Sequence, residues 1–231
     1  MTRTHGRWIS AAIIFVFLAA GVFIRNGANE TAAAFSPISP FTDAAKKVSE
    51  SVVGVNNYIS GERVSMGSGV VISDKYILTN YHVIEGADRI WLSVSGKEIP
   101  ATVSAYDKEL DAAVLYAGRL NAKPASIGDS DQLEAGAWAI CVGNPLSDAL
   151  SRTVTVGIVS AIEREVSSVQ PMIQTDAAIN SGSSGGGLFN VLGELVGVPT
   201  MKYTGETVEG IGLAIPINSV KPLIRQALGG E

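Results

Sequence analysis

Gly67-Ser68-Gly69-Val70-Val71-Ile72-Ser73-Asp74-Lys75-Tyr76-Ile77-Leu78-Thr79-Asn80-Tyr81-His82-Val83-Ile84 is the stretch on which the fold turns. Two apolar, β-branched-rich runs, Gly69–Ser73 and Tyr76–Thr79, are separated by Asp74-Lys75 alone, which predicts a tight hairpin. Runs of the same kind recur outward from it: Val52–Val55 on one side, and Ile90–Val94, Ile99–Ala105, Ala112–Tyr116, Trp138–Val142, Thr153–Ile162, Met172–Gln174, Leu195–Val198 and Gly212–Ile215 on the other. Gly, Asp, Asn and Pro punctuate them. Short strands at this spacing predict an all-β sandwich or barrel. Helical periodicity appears only at the ends, over Thr42–Glu50 and over Ser219–Leu228, the latter capped by Asn218 or Ser219. No Gly/Ser linker divides residues 44–228, so any two lobes are tightly joined.

Composition narrows the function classes. The 231 residues are 46% hydrophobic and 17% charged, enough to bury a core without staples and unlike a disordered chain. One cysteine, Cys141, excludes an intramolecular disulfide and a Cys-based zinc cluster, and His5 and His82 leave no His-rich metal site, so no metal or cofactor is expected. A net charge of −5 gives no support to a nucleic-acid footprint. Cys141 sits in the apolar run Ala137–Val142 and reads as core rather than as a nucleophile.

The N-terminus points to export. Trp8–Ile24 carries no charge and lies between Arg3 and Arg7 on one side and Arg25 on the other. As a helix of about 25 Å, at roughly 1.5 Å per residue, it predicts a membrane signal-anchor that leaves residues 1–7 in the cytoplasm and places the rest of the chain outside. A cleavable secretory signal is the alternative, with Ala32-Ala33-Ala34 as a small-residue site; the product would be secreted or periplasmic. Against it, the apolar stretch exceeds the usual signal core and that site lies well beyond its end. Residues 25–40 are poor in large apolar side chains and include two Ser-Pro steps, so they read as a tether to a domain at 41–231.

Asn180-Ser181-Gly182-Ser183-Ser184-Gly185-Gly186-Gly187-Leu188 is the densest glycine cluster in the chain. Such a stretch lets the backbone turn sharply and aim successive N–H groups at one point; by itself it reads equally as a flexible Gly/Ser loop. A serine hydroxyl needs an adjacent base, and His82, where a strand gives way to a turn, is the only histidine outside the N-terminal segment. Asp111 directly precedes the apolar run Ala112–Leu115. Partly buried there, it needs a partner such as an imidazole N–H, whereas Asp107 and Glu109 read as solvated turn charges.

Taken together these segments resemble the HtrA/Deg family of trypsin-like serine proteases. The resemblance rests on Gly67–Ile72 followed by Leu78–Ile84, on Leu110–Leu115, on Ala139–Pro145 with Thr153–Ser160, and on Ile173–Asn180 leading into the serine block. It covers about residues 41–228. It implies a trypsin-like double β-barrel of two six-stranded barrels with the active site between them. It further implies a serine endopeptidase with Ser184 as nucleophile, His82 as base and Asp111 as its orienting carboxylate. The oxyanion hole would come from the backbone N–H groups of Gly182 and Ser184, with Ser183 between them. Ile211, Gly212, Leu213 and Ile215 would line the substrate groove and specificity pocket, favouring small or medium aliphatic residues in a peptide bound as an added strand. The implied partners are unfolded or extended exported polypeptides, the membrane through residues 8–24, and two further copies in a homotrimer built on aromatic contacts from Phe35 and Phe41. A pseudoprotease or peptide-binding scaffold of the same fold is the alternative function. Three positions depart from the family: Ser181 and Gly187 stand where it usually has proline, and Ser183 where it usually has asparagine. Gly for Pro adds backbone freedom, which predicts a loosened serine loop. The family also commonly carries PDZ domains after the protease domain; here the chain stops after the closing helix, so regulation through a PDZ groove is not expected.

Overall fold

The computed structural model describes residues 40–144, 151–166, 169–202 and 210–229. The expected hairpin forms, and four more strands close around it. Strands β1 (Val52–Ile59), β2 (Glu62–Val71), β3 (Tyr76–Thr79), β4 (Arg89–Val94), β5 (Lys97–Asp107) and β6 (Ala112–Tyr116) make a closed antiparallel barrel in the order β1-β2-β3-β6-β5-β4. The connection from β2 to β3 is longer than Asp74-Lys75. β2 stops at Val71, the Ile72 N–H donates to the Tyr76 carbonyl at 2.9 Å, and the Ser73 hydroxyl accepts from the N–H groups of Lys75 and Tyr76, a serine turn inside the hairpin.

A second barrel follows. Beyond β7 (Ser126–Ile127) come β8 (Trp138–Gly143), β9 (Thr153–Arg164), β10 (Met172–Thr175), β11 (Gly187–Phe189), β12 (Glu194–Lys202) and β13 (Gly212–Pro216). They run β11-β8-β9-β10-β13-β12, the β11–β12 pairing closes the ring, and β7 adds in parallel to β12. The chain is thus the double six-stranded barrel that the resemblance implies. β7 and β11 have no counterpart among the expected runs, because strands of two and three residues show no periodicity.

Three helices complete the described residues: α1 (Pro40–Ser49), the single-turn α2 (Tyr81–Ile84) and the closing α3 (Ile217–Leu228). α3 starts earlier than expected, and neither Asn218 nor Ser219 caps it; Pro216 holds that position without a side-chain bond. Its free donor is satisfied from elsewhere: the Asn218 N–H donates to the Ser130 hydroxyl at 3.2 Å, while Asn218 Nδ2 donates to the Asp129 carboxylate at 2.6 Å.

Successive side chains of a strand point to opposite faces, and here both faces are buried. Ala113 and Leu115 of β6 join Ile77 and Leu92 inside the first barrel, whereas Ala112 and Val114 join a cluster with Ile140, Val142, Leu213, Ile215 and the apolar face of α3. Ala139 and Cys141 face a third cluster with Val159, Ile173 and Leu188. Cys141 is therefore core, as its sequence context implies, and burial pushes its thiol up to about 12. Phe41 is engaged within its own chain, edge-on to Trp138 with ring centroids 4.9 Å apart. Among the described residues no helix is long and apolar enough to cross a membrane; Trp8–Ile24, Phe35 and residues 25–39 of the tether lie outside them, and Pro40, the last residue of the expected tether, already begins α1.

Candidate active site

The turn after β3 carries His82. Thr79 Oγ1 donates to the Ser68 carbonyl at 2.7 Å and Asn80 Nδ2 to the Asp111 carbonyl at 2.8 Å, so the residues just before His82 are tied to both flanking segments. Tyr81 stacks on Tyr106 at 5.2 Å and holds the outer side of the turn. Asp111 closes the β5–β6 connection with φ 55°, a left-handed conformation that Asp tolerates better than most side chains. Asp107 is exposed, as expected for a solvated turn charge, and its carboxylate also accepts the N–H groups of Glu109 and Leu110 at 3.0 Å each.

The two elements bring imidazole and carboxylate together. His82 Nδ1 lies 2.8 Å from Asp111 Oδ2, and the His82 backbone N–H donates to Oδ1 at 2.9 Å. The Thr200 hydroxyl, at the end of β12, donates to Oδ2 at 2.5 Å. Burial opposes ionisation of Asp111 most strongly, yet the hydrogen bonds from the His82 ring, the Thr200 hydroxyl and the His82 N–H prevail and hold its carboxyl below the ordinary value. With Nδ1 bonded to a carboxylate, Nε2 is the nitrogen left to accept a proton.

The serine stretch is held by hydrogen bonds to both of its neighbours. The Ser184 carbonyl accepts from the Ser68 N–H at 2.8 Å, the Gly185 N–H donates to the Pro199 carbonyl at 3.0 Å, and the Gly182 carbonyl accepts from Ser68 Oγ at 2.6 Å. Gly185 has φ 80°, and a Cβ there would fall 2.3 Å from both the Ser68 carbonyl and Thr79 Oγ1, so only glycine fits. The N–H of Ser183 donates to the Asn180 carbonyl at 2.8 Å and is occupied within the loop. The N–H groups of Gly182 and Ser184 have no acceptor among the described residues. The Ser184 hydroxyl donates to the Thr200 carbonyl at 3.0 Å.

Two expectations are corrected. Gly187 does not loosen the loop: a Cβ there would meet the Phe189 ring at 2.2 Å, so Phe189 fills the space a larger residue would take. Nor do Leu213 and Ile215 line a groove, since they are 2% and 1% exposed within the core. β13 is bonded on both edges, to β10 and to β12, and a Cβ on Gly212 would press on Ile179 at 2.6 Å. Ile211, half-buried just before β13, is the one of the four at the surface. The edge beside Ser184 belongs to β12 instead. β11 pairs with β12 only as far as Gly197, leaving Thr200 at an unpaired edge. Thr200, Asn80 and Ser68 escape the sequence reading as site residues, though Ser68 and Asn80 lie inside the quoted motif.

A pair of six-stranded antiparallel barrels, with a His–Asp pair on one joined through Thr200 to a serine loop on the other, is the architecture of the two-barrel class of trypsin-like hydrolases. A family model described as trypsin-like peptidase domain matches residues 67–198. The chain belongs to this family, and its protease domain is of the HtrA type. The serine protease Do-like HtrA of Bacillus subtilis (strain 168) is 39% identical over 219 residues, covering 82% of this chain and 49% of that protein. A probable periplasmic serine endoprotease, DegP-like, of Halomonas elongata is 44% identical over 164 residues, covering 69% of this chain and 34% of its own length. Among solved structures, the HtrA-type protease AlgW with tripeptide superposes with a TM-score of 0.74 at 34% identity, covering 80% of this chain and 62% of that one. The serine endoprotease from Yersinia pestis gives 0.72 at 37% identity, with 80% and 65% covered. The chain spans about half the length of the Bacillus relative.

Proposed function

We propose that the chain is a serine endopeptidase working through Ser184, His82 and Asp111. The observation that carries this reading is the His82–Asp111 hydrogen bond of 2.8 Å, made by a carboxylate with further donors from Thr200 and the His82 backbone. Asp111 stays ionised and fixes the imidazole with Nε2 free. Ser184 rests on the Thr200 carbonyl; rotation about its Cα–Cβ bond turns the hydroxyl toward Nε2, which takes the proton as the oxygen attacks the scissile carbonyl. The N–H groups of Gly182 and Ser184 receive the developing oxyanion, each donor worth about 3 kcal/mol of transition-state stabilisation. His82 then returns the proton to the leaving amine, and water releases the acyl-enzyme by the same route.

The substrate lies extended beside β12 beyond its pairing with β11, bonding the Thr200 carbonyl that Ser184 leaves on rotation, so backbone hydrogen bonds supply much of the affinity. This favours unfolded or extended polypeptides. In the same reading the domain acts outside the cytoplasm, anchored by residues 8–24, and assembles as a homotrimer through N-terminal aromatic contacts. Phe35 is the remaining candidate, since Phe41 already packs on Trp138. Ser184→Ala is expected to abolish cleavage of an unfolded protein such as casein while leaving the circular-dichroism spectrum unchanged. Cleavage retained in that variant would refute the assignment.

A further inference from the structure

β1 and β4 pair from Tyr58↔Arg89 to Gly54↔Ser93 and then part. Where they diverge, a cavity of about 560 Å³ opens, lined by Val52, Ser93, Ser95, Lys97, Asn144 and Arg152, with Gly96, Glu98 and Ser151 completing the wall. The lining holds two cations against one carboxylate. Among the described residues none of Lys97, Glu98 and Arg152 makes an ion pair. Arg152 is held in place nonetheless. Its φ is 59°, its backbone N–H donates to Asn144 Oδ1 at 2.7 Å, and its guanidinium donates to Ser95 Oγ at 3.1 Å. A non-glycine residue kept in the left-handed region by bonds at both ends is a strained position that its surroundings enforce. The guanidinium gives one donor to Ser95, and its other donors have no acceptor among the described residues.

The cavity is wired to the serine loop through a chain of buried and part-buried hydrogen bonds. Arg152 N–H binds Asn144 Oδ1; Asn144 N–H donates to Ser68 Oγ at 2.7 Å; Ser68 Oγ–H donates to the Gly182 carbonyl at 2.6 Å. Asn144 and Ser68 are 3% and 0% exposed, so neither link is diluted by water. The last bond fixes the peptide plane after Gly182 and thereby supports the loop on which the Gly182 N–H is presented.

We propose that this cavity is an effector site for a small oxyanion, carboxylate or phosphate, held by Lys97, Arg152 and the hydroxyls of Ser93 and Ser95, and that its occupation steadies the serine loop through Asn144 and Ser68. The coupling half rests on the serine-protease reading above; the binding half does not. Two sources share this chemistry, an acidic peptide group and free phosphate, and they are separated by titrating N-acetylglutamate and inorganic phosphate independently.

The test uses the full chain, with isothermal titration for binding and the rate of fluorophosphonate labelling of Ser184 for coupling, always against chloride at equal ionic strength because surface cations respond to salt alone. At least one of the two anions is expected to bind and to raise the labelling rate about 5-fold or more, the low end of ordinary coupling between sites. The double variant Lys97→Gln/Arg152→Gln is expected to lose both responses. Ser95→Asp places a carboxylate beside the guanidinium at a left-handed position that Asp tolerates, and is expected to label fast without added anion. That variant keeps the proposal testable should the double variant fail to fold. No binding of either anion, or binding undiminished in a folded double variant, overturns the site. Binding without a change in labelling overturns the coupling. Failure of Ser184 to label under any condition while the anion still binds refutes the protease reading and leaves the site standing.

Discussion

Thr200 serves the site with two groups, its hydroxyl on Asp111 and its carbonyl on Ser184. Thr200→Val keeps the shape and removes the donor to a carboxylate, which is expected to cost about 1.5–3 kcal/mol at pH 7. The pH dependence has a definite sign. The folded pKa of Asp111 lies below its ordinary 3.8, so its hydrogen bonds stabilise the fold fully above that value and are lost as pH falls through the folded pKa. Urea titrations should therefore show the wild-type advantage over Thr200→Val at pH 7 and its shrinkage near pH 3; an equal gap at both would contradict the assignment. At Gly187 the mutation argument is steric. Gly187→Ala drives a methyl into Phe189 and should cost about 1–3 kcal/mol, read as a lower urea midpoint at unchanged slope. Of the proposed site, His82 is legible in the sequence by elimination, as the one histidine outside the N-terminal segment, whereas Asp111 and Ser184 are singled out among many acidic residues and serines by the motifs that resemble the family. Thr200 is not legible, since a threonine within a strand carries no local signal until the fold sets it against Asp111. The effect of Gly187 is misread for the same reason: nothing in the sequence tells that the Phe189 ring folds back over it.

Strands such as Ala112–Tyr116 and Trp138–Gly143 are legible because burial on both faces writes an unbroken apolar run into the sequence. β11 is hidden inside the glycine cluster and β7 has only two residues, so both are fixed by pairing with β12 rather than by local preference. The start of α3 shows the same limit. Local rules look for a cap at Asn218 or Ser219, whereas the acceptor comes from Ser130, distant in sequence. Ser130→Ala should cost about 1 kcal/mol, in the range of a lost helix cap. The discriminating partner is Ser219→Ala, which should be nearly silent in the same thermal melts; a larger loss there would restore the local cap.

In the whole molecule, an all-β sandwich or barrel is legible from the succession of short strands and the double barrel only through the resemblance, while the pairing order is not legible, because register and closure depend on contacts between distant segments. Cys141 reports on that closure. Buried and with its thiol pushed up to about 12, it should stay unmodified by a thiol-reactive disulfide reagent in the native protein and react fully after denaturation; fast native reaction would mean the second barrel opens readily. The closed barrels matter to the proposed function because Thr200 of the second barrel donates to Asp111 of the first and accepts from Ser184 of its own. The most direct test is the rate at which a fluorophosphonate modifies Ser184 in the wild type and in His82→Ala. The account predicts stoichiometric labelling at Ser184 that slows by about 10³-fold or more without the imidazole. Equal rates in the two proteins, or modification at a serine other than Ser184, would contradict it.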